Sequence, residues 1–152
     1  MIYVLYGQPA SGKTTLGGLL ADQLDTPFVI DGDELRSMFD GIPHDRPKES
    51  GYDRSGREKN IRNANAIATY LNKKTQSVGH VVMGLVNPYK HLRNELKLNN
   101  ADQVSEVLLV STRELRREYH VEDFEEGDPD YVLNTDEEPK HTWSNLKDLL
   151  NL

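Results

Sequence analysis

Residues 6–15, "YGQPASGKTT", set Gly7 and Gly12 four residues apart and follow them at once with Lys13 and Thr14. This is the full pattern of a loop that grips phosphate. The two glycines permit backbone conformations closed to residues with side chains. Successive N–H groups can then converge on phosphate oxygens at the positive end of a helix dipole. Lys13 adds a point charge for the outer phosphates, and the Thr14 hydroxyl suits Mg²⁺. The pattern assigns Gly7, Ala10, Ser11, Gly12, Lys13, Thr14 and Thr15 to binding the phosphates of a nucleotide, and by itself it does not separate GTPases, ATP-driven motors and small ATP-dependent kinases.

A second group of chemically able residues follows in "VIDGDELR", 29–36. Asp31 could hold Mg²⁺ or its waters. Asp33 could orient or deprotonate an acceptor hydroxyl, and Arg36, one helical turn on, could clamp an acceptor anion. A plainer reading makes Asp33 only the N-cap of a helix. Capping leaves Asp31 unexplained, which favours the functional reading. No "NKxD" guanine signature follows, and the runs at 80–86 and 104–110 do not end in the carboxylate of a motor ATPase.

These residues need a scaffold. "IYVLY" (2–6) reads as a buried parallel strand, and "KTTLGGLLADQL" (13–24) as a helix with Leu16, Leu19, Leu20 and Leu24 on one face. "PFVI" (27–30) predicts a second strand and 33–39 a short helix. Residues 41–56 read as loop. A long helix over 57–77 carries Ile61, Ala64, Ala68 and Leu71 on one side. Strands are expected at 80–86, 104–110 and 130–135, the last at the far end of the core. Pro88 is expected to open a helix to about 97, a further helix is expected at 112–119, and Thr142 to cap a closing one. Only 120–130, "HVEDFEEGDPD", reads as lacking fixed structure. Strands alternating with helices predict one α/β domain over 1–152, a P-loop three-layer sandwich around a mainly parallel five-stranded sheet. Ligands then belong at the carboxyl edge of that sheet, where Asp31 and Asp33 fall beside the phosphate loop.

Charge is uneven. Residues 1–119 carry 16 Lys/Arg against 15 Asp/Glu, and residues 120–152 carry 2 against 10, for a net −7 overall. The basic middle (Arg36, Arg46, Lys48, Arg54, Arg57, Lys59, Arg62) suits a pocket for a small anionic nucleotide. The negative total weighs against nucleic acid as a partner. No run approaches the roughly 18 apolar residues of a membrane span. No secretory signal is legible. With no cysteine, disulfides and thiolate zinc sites are excluded, in keeping with the cytoplasm. The apolar faces fit a monomer or a homodimer.

"GQPASGKTT", "DGDELR", "GYDRSGREKNIR", "NPYKHLR" and "YVLNT" stand in the order and approximate spacing found in adenylylsulfate kinase (APS kinase). From residue 2 to about 135 the chain resembles that family. The resemblance implies transfer of the ATP γ-phosphoryl group to the 3′-hydroxyl of adenosine 5′-phosphosulfate (APS), giving PAPS and ADP, with Lys13 and Asp33 as catalytic groups. It implies that Asp33 and Arg36 face the acceptor, that Tyr52 stacks on its adenine, and that Arg57 and Asn60 contact it. Their spacing of three does put those two side chains on one helix face. Arg62 matches a further basic position, and Arg93 the Arg closing the family's Ser-Pro-Tyr segment.

The chain departs from the family pattern at several places. Asn87 stands where the family has Ser, Gly56 replaces an Asp, and 104–112 ends in "LLVST". The family's lid blocks give way to the acidic "ELRREYHVEDFEEGDPD". Arg113, Arg116 and Arg117 are expected to reach ATP from there, and Phe124 to supply a second aromatic clamp. This remodelled lid keeps two alternatives open: a nucleoside, nucleotide or polynucleotide 5′-hydroxyl kinase, and an inactive nucleotide-binding regulator.

Overall fold

Apolar runs of four to seven residues separated by amphipathic stretches fold here as alternating strands and helices. The computed structural model describes residues 1–40, 53–76, 79–113 and 117–152. The elements are β1 (Ile2–Tyr6), α1 (Lys13–Gln23), β2 (Val29–Asp31), α2 (Gly32–Asp40), α3 (Arg54–Lys74), β3 (Val81–Leu85), α4 (Lys90–Asn99), β4 (Val104–Val110), β5 (Tyr131–Asn134) and α5 (Pro139–Leu150). The strands form one five-stranded sheet in the order β2-β3-β1-β4-β5. Each neighbouring pair is parallel. The β1 strand is central and β5 lies at the edge opposite β2, as expected from the sequence.

Strand alternation sends side chains to two faces. Ile2, Val4 and Tyr6 of β1 join one core with Leu35 of α2, Ile61, Ala64 and Ala68 of α3, and Leu92 and Leu96 of α4. Leu5 joins the other with Leu16 and Leu20 of α1 and Leu146 of α5. Gly17 and Gly18 sit inside α1, where each costs about 1 kcal/mol of helix propensity relative to Ala. Full burial of Leu20, worth about 1.5–3 kcal/mol, shows why burial rather than propensity fixes this helix.

Four expectations are overturned. Thr142 does not cap α5, which already begins at Pro139 after an extended Glu138. Proline's fixed φ and missing N–H suit that first position. Thr142 is buried inside the helix, its hydroxyl within reach of the Glu137 and Glu138 carbonyls at 3.3 Å. Nor does 112–119 form a helix among the described residues. Helical backbone there is limited to the 3-10 turn Arg117–Tyr119. Residues 111 and 112 are drawn instead to Asp136, which accepts from Ser111 Oγ (2.7 Å), Thr112 N (2.9 Å) and Thr112 Oγ1 (2.9 Å). Those bonds, that to Ser111 foremost, hold the Asp136 carboxyl down at about 2. Pro88 likewise precedes α4 without opening it, since Tyr89 is the N-cap.

The fourth correction concerns 120–130, which is a tied strap. Gln8 Nε2 donates to the Val121 carbonyl and Gln8 Oε1 accepts from the Val121 N–H, both at 2.9 Å. Arg54 pairs with Asp123 at 2.7 Å, and Lys90 with Asp128 at 3.3 Å. Glu125 N donates to Pro88 O at 2.9 Å. Asp130 accepts from Glu106 N at 2.8 Å. Carboxylates that look like a run of mutual repulsion are thus dealt out to separate partners.

Candidate active site

Gly7 ends β1, and a Cβ there would sit 2.5 Å from the Leu109 carbonyl oxygen. Ala10 and Gly12 take positive φ values of 62° and 97°, and Gly12 caps α1. The loop therefore closes tightly over the first turn of α1. Lys13 Nζ lies within the loop and donates to Gly7 O (3.0 Å), Gln8 O (2.7 Å) and Ser11 Oγ (3.1 Å). Three neutral acceptors hold the ammonium where phosphate oxygens would compete for it with full charge.

Thr14 Oγ1 donates to Asp31 Oδ2 at 2.9 Å, so the hydroxyl and carboxylate singled out for Mg²⁺ meet. The other oxygen, Asp31 Oδ1, accepts from Asp33 N (3.1 Å) and Glu34 N (3.0 Å). It is Asp31 that ties down the N-terminus of α2. The supposition that capping left Asp31 unexplained is corrected: one oxygen caps and the other faces the loop. Asp33, freed from that duty, pairs with Arg36 at 3.4 Å, with side chains 46% and 10% exposed respectively.

A cleft of about 400 Å³ runs along the carboxyl edge of the sheet. Its floor is the phosphate loop from Pro9 to Thr15. On the β2–β3 side it is walled by Asp31, Asp33, Arg36, Arg57, Asn60, Ile61 and residues 84–88. On the β4–β5 side stand Arg113, Thr135, Glu137, Pro139 and Thr142, with Tyr119 and Val121 of the strap. Asn60 Nδ2 donates to Gly32 O at 3.0 Å and so fixes α3 against α2. Arg57 lines the cleft without an ion-pair partner among the described residues. Arg113 is more committed, bonded to Ser111 Oγ at 3.1 Å and 4.0 Å from Asp136.

The cleft brings together Ala10, Gly12, Lys13, Thr14, Thr15, Asp31, Asp33, Arg36, Arg57, Asn60 and Arg113. Gly7 and Ser11 stand behind it as acceptors for Lys13. Tyr52 and Arg116 lie outside the described residues. Arg117 is exposed in the 3-10 turn and is not part of the cleft wall. Arg62 faces Glu58 and Glu95 at 3.9 and 3.8 Å instead. Arg93 is placed elsewhere too. It is 2% exposed, donates to Asn87 O and Glu125 O at 2.6 Å each, and lies 4.3 Å over the Tyr6 ring. A guanidinium with two carbonyls and an aromatic face can be buried stably, and here it joins α4 to the strap. Phe124 stacks on Tyr6 at 6.2 Å, so it packs on the core and does not enter the cleft. Tyr6 donates its O–H to Glu126 O, and burial pushes its phenol up to about 12.

On the β4–β5 wall sequence reasoning named Arg113 but missed Thr135, Glu137, Pro139, Thr142 and Tyr119. The available signal was topological: Thr135 follows β5 at the edge where ligands bind.

A parallel sheet of this order, with a phosphate loop leaving its central strand and a cleft across its carboxyl edge, defines a P-loop phosphotransferase of the nucleotide-kinase type. Residues 1–124 match the family model of adenylylsulphate kinase, and the chain belongs to that family. Among solved structures it resembles the Mycobacterium tuberculosis APS kinase CysC in complex with AMPPNP and APS, with TM-score 0.74 and 21% identity over 99% of this chain and 97% of that one. It also resembles a sugar kinase from Janibacter sp. (0.68, 15%, 99% and 94%) and shikimate kinase from Aquifex aeolicus (0.66, 20%, 99% and 96%). At these identities the likeness is one of fold. No curated protein matches the chain by sequence.

Proposed function

We propose that the chain is an ATP-dependent kinase that phosphorylates the 3′-hydroxyl of APS, working in the cytoplasm as a single kinase domain. The observation that carries this reading is the meeting of the phosphate loop with Asp33, Arg36, Arg57 and Asn60 in one cleft, in a member of this family. ATP phosphates lie on the loop N–H groups, and Lys13 leaves its carbonyl partners for the outer phosphates. Thr14 Oγ1 and Asp31 Oδ2 are hard oxygen donors of the kind Mg²⁺ takes, and the ion bound there would neutralise phosphate charge. The acceptor lies on the β2–β3 side, its anionic groups toward Arg57 and Arg36. Asp33 takes the proton of the acceptor hydroxyl as the new O–P bond forms and the bond from the γ-phosphorus to ADP breaks. Tyr52 stacks on the acceptor adenine, and Arg113 approaches ATP from the β4–β5 side.

The test is ADP release from Mg·ATP with APS, nucleosides and DNA or RNA 5′-hydroxyl ends offered in parallel. Saturable APS-dependent release, lost in Asp33→Ala, is expected. Response to polynucleotide ends alone would make the acceptor assignment wrong. ATP binding without turnover on any acceptor would point to a regulator.

A further inference from the structure

β4 and β5 leave the sheet side by side at its carboxyl edge, and a knot of hydrogen bonds joins the residues that follow them. Asp136, two residues past β5, is its centre. Its Oδ1 accepts from Ser111 Oγ (2.7 Å) and Thr112 N (2.9 Å). Its Oδ2 accepts from Thr112 Oγ1 (2.9 Å) and again from Thr112 N (3.1 Å). Asp136 N donates to Asn134 Oδ1 at 2.8 Å, which fixes its own peptide. The strands do not need this knot to stay together, since Thr135 N already donates to Val110 O at 2.9 Å.

Arg113 follows the knot and lines the cleft. Its backbone N–H and its Nε each donate to Ser111 Oγ at 3.1 Å, and Nη2 donates to Thr135 Oγ1 at 3.4 Å. A hydroxyl carries one proton and two lone pairs. With the Ser111 proton spent on Asp136, both lone pairs are left for Arg113. Thr135 Oγ1, on a residue only 3% exposed, is set the same way, its proton toward Val110 O at 3.4 Å. Two oriented hydroxyls thus aim the guanidinium. The carboxylate itself stands off, 4.0 Å from Nε, beyond hydrogen-bond length. A bidentate ion pair would occupy the N–H groups that a phosphate needs. Acting through a neutral hydroxyl, Asp136 fixes the direction of the side chain and leaves its charge for a ligand.

We infer, on the proposed reading that Arg113 approaches ATP from the β4–β5 side, that Asp136 is a positioning residue for the phosphoryl donor. Through Ser111 it presets Arg113 to meet an anionic oxygen of the nucleotide in the cleft. A long side chain that is ordered only on binding takes its lost rotamer freedom out of the affinity, whereas a preset one has lost that freedom already.

The experiment measures the Kd of Mg·ATP by titration calorimetry with no acceptor present, alongside melting temperature. It compares wild type, Asp136→Ala, Asp136→Asn, Ser111→Ala, Arg113→Ala and the double variant Asp136→Ala/Arg113→Ala. Arg113→Ala is expected to weaken ATP binding about tenfold or more, the scale of one charge-assisted hydrogen bond. Asp136→Ala and Ser111→Ala should each weaken it about threefold to tenfold, the scale of ordering one long side chain. Asp136→Asn should lose less, because its amide oxygen can still take the Ser111 proton. The double variant should bind no more weakly than Arg113→Ala alone, since a residue that acts only through Arg113 then has nothing left to position. An Asp136→Ala protein that binds ATP like wild type overturns the inference, whatever its melting temperature. So does a double variant in which the two losses multiply, which would mean that Asp136 serves the fold or the nucleotide independently of Arg113. Should Asp136→Ala fail to fold, Ser111→Ala with Arg113→Ala forms the same cycle. A wild type that does not bind Mg·ATP removes the nucleotide-kinase reading and this inference together, whereas ATP binding that ignores Asp136 removes the inference alone.

Discussion

Two irregular segments meet at the cleft, and they are held by opposite means. The phosphate loop is self-supporting. Lys13 bonds residues two to six positions away, and positive φ at Ala10 and Gly12 shapes the turn. The strap is held from afar. Its partners Tyr6, Gln8 and Arg54 lie 120, 113 and 69 positions away in sequence. A loop built on near neighbours can commit its side chains to chemistry with little cost to the fold. A strap built on distant partners couples stability to residues that never meet a substrate.

The comparison is broken most visibly at Lys13. Lys13→Met should lower kcat by about 10²–10³-fold, the scale for removing one transition-state charge contact, while the melting temperature stays within a few degrees. Steady-state ADP release and calorimetry on the same sample check both halves. Arg93→Ala should do the reverse. Losing a buried guanidinium bonded to two carbonyls is expected to cost about 3 kcal/mol, or about 10 °C of melting temperature for a chain of this size. An Arg93→Ala protein as stable as wild type would refute the strap's anchoring.

Tyr6 supplies a smaller, pH-dependent effect. Its phenol titrates at about 12 when folded, against about 10 in an unfolded chain. The folded state therefore holds a proton that the unfolded state has shed between those values. Stability from this group is complete below pH 10 and is lost as pH rises from 10 toward 12. Denaturant titrations across that range should show the loss, and Tyr6→Phe should flatten it. The smallest effect belongs to the exposed Arg54–Asp123 pair, where solvent screening should leave a double-mutant-cycle coupling close to the error of the measurement. A large coupling there would mean that the strap hangs from α3 rather than from Arg93.

The same contrast decides what could be read without coordinates. The phosphate loop, the strand sequence around β1 and the inward face of α3 were legible because a few adjacent residues dictate them. So was the place of Asp33 and Arg36 beside the loop, since they follow β2 at the carboxyl edge of the sheet, whereas Arg57 and Asn60 were placed there by the family resemblance alone. Thr142 was misread because a good capping residue is equally at home bonding back to carbonyls within a helix, and the real signal was Pro139 three residues earlier. Arg93 was misread as a substrate contact, and the strap as unstructured, for one reason. Each satisfies the other, and neither contact can be inferred from local sequence. Asp31 was half read: its place beside Thr14 was foreseen, its capping role was not.

Gln8 gives the arrangement a mechanical consequence. By spending its whole carboxamide on the Val121 peptide, it yokes the second residue of the phosphate loop to the far wall of the cleft. The loop and that wall therefore cannot part without breaking two hydrogen bonds of 2.9 Å at once.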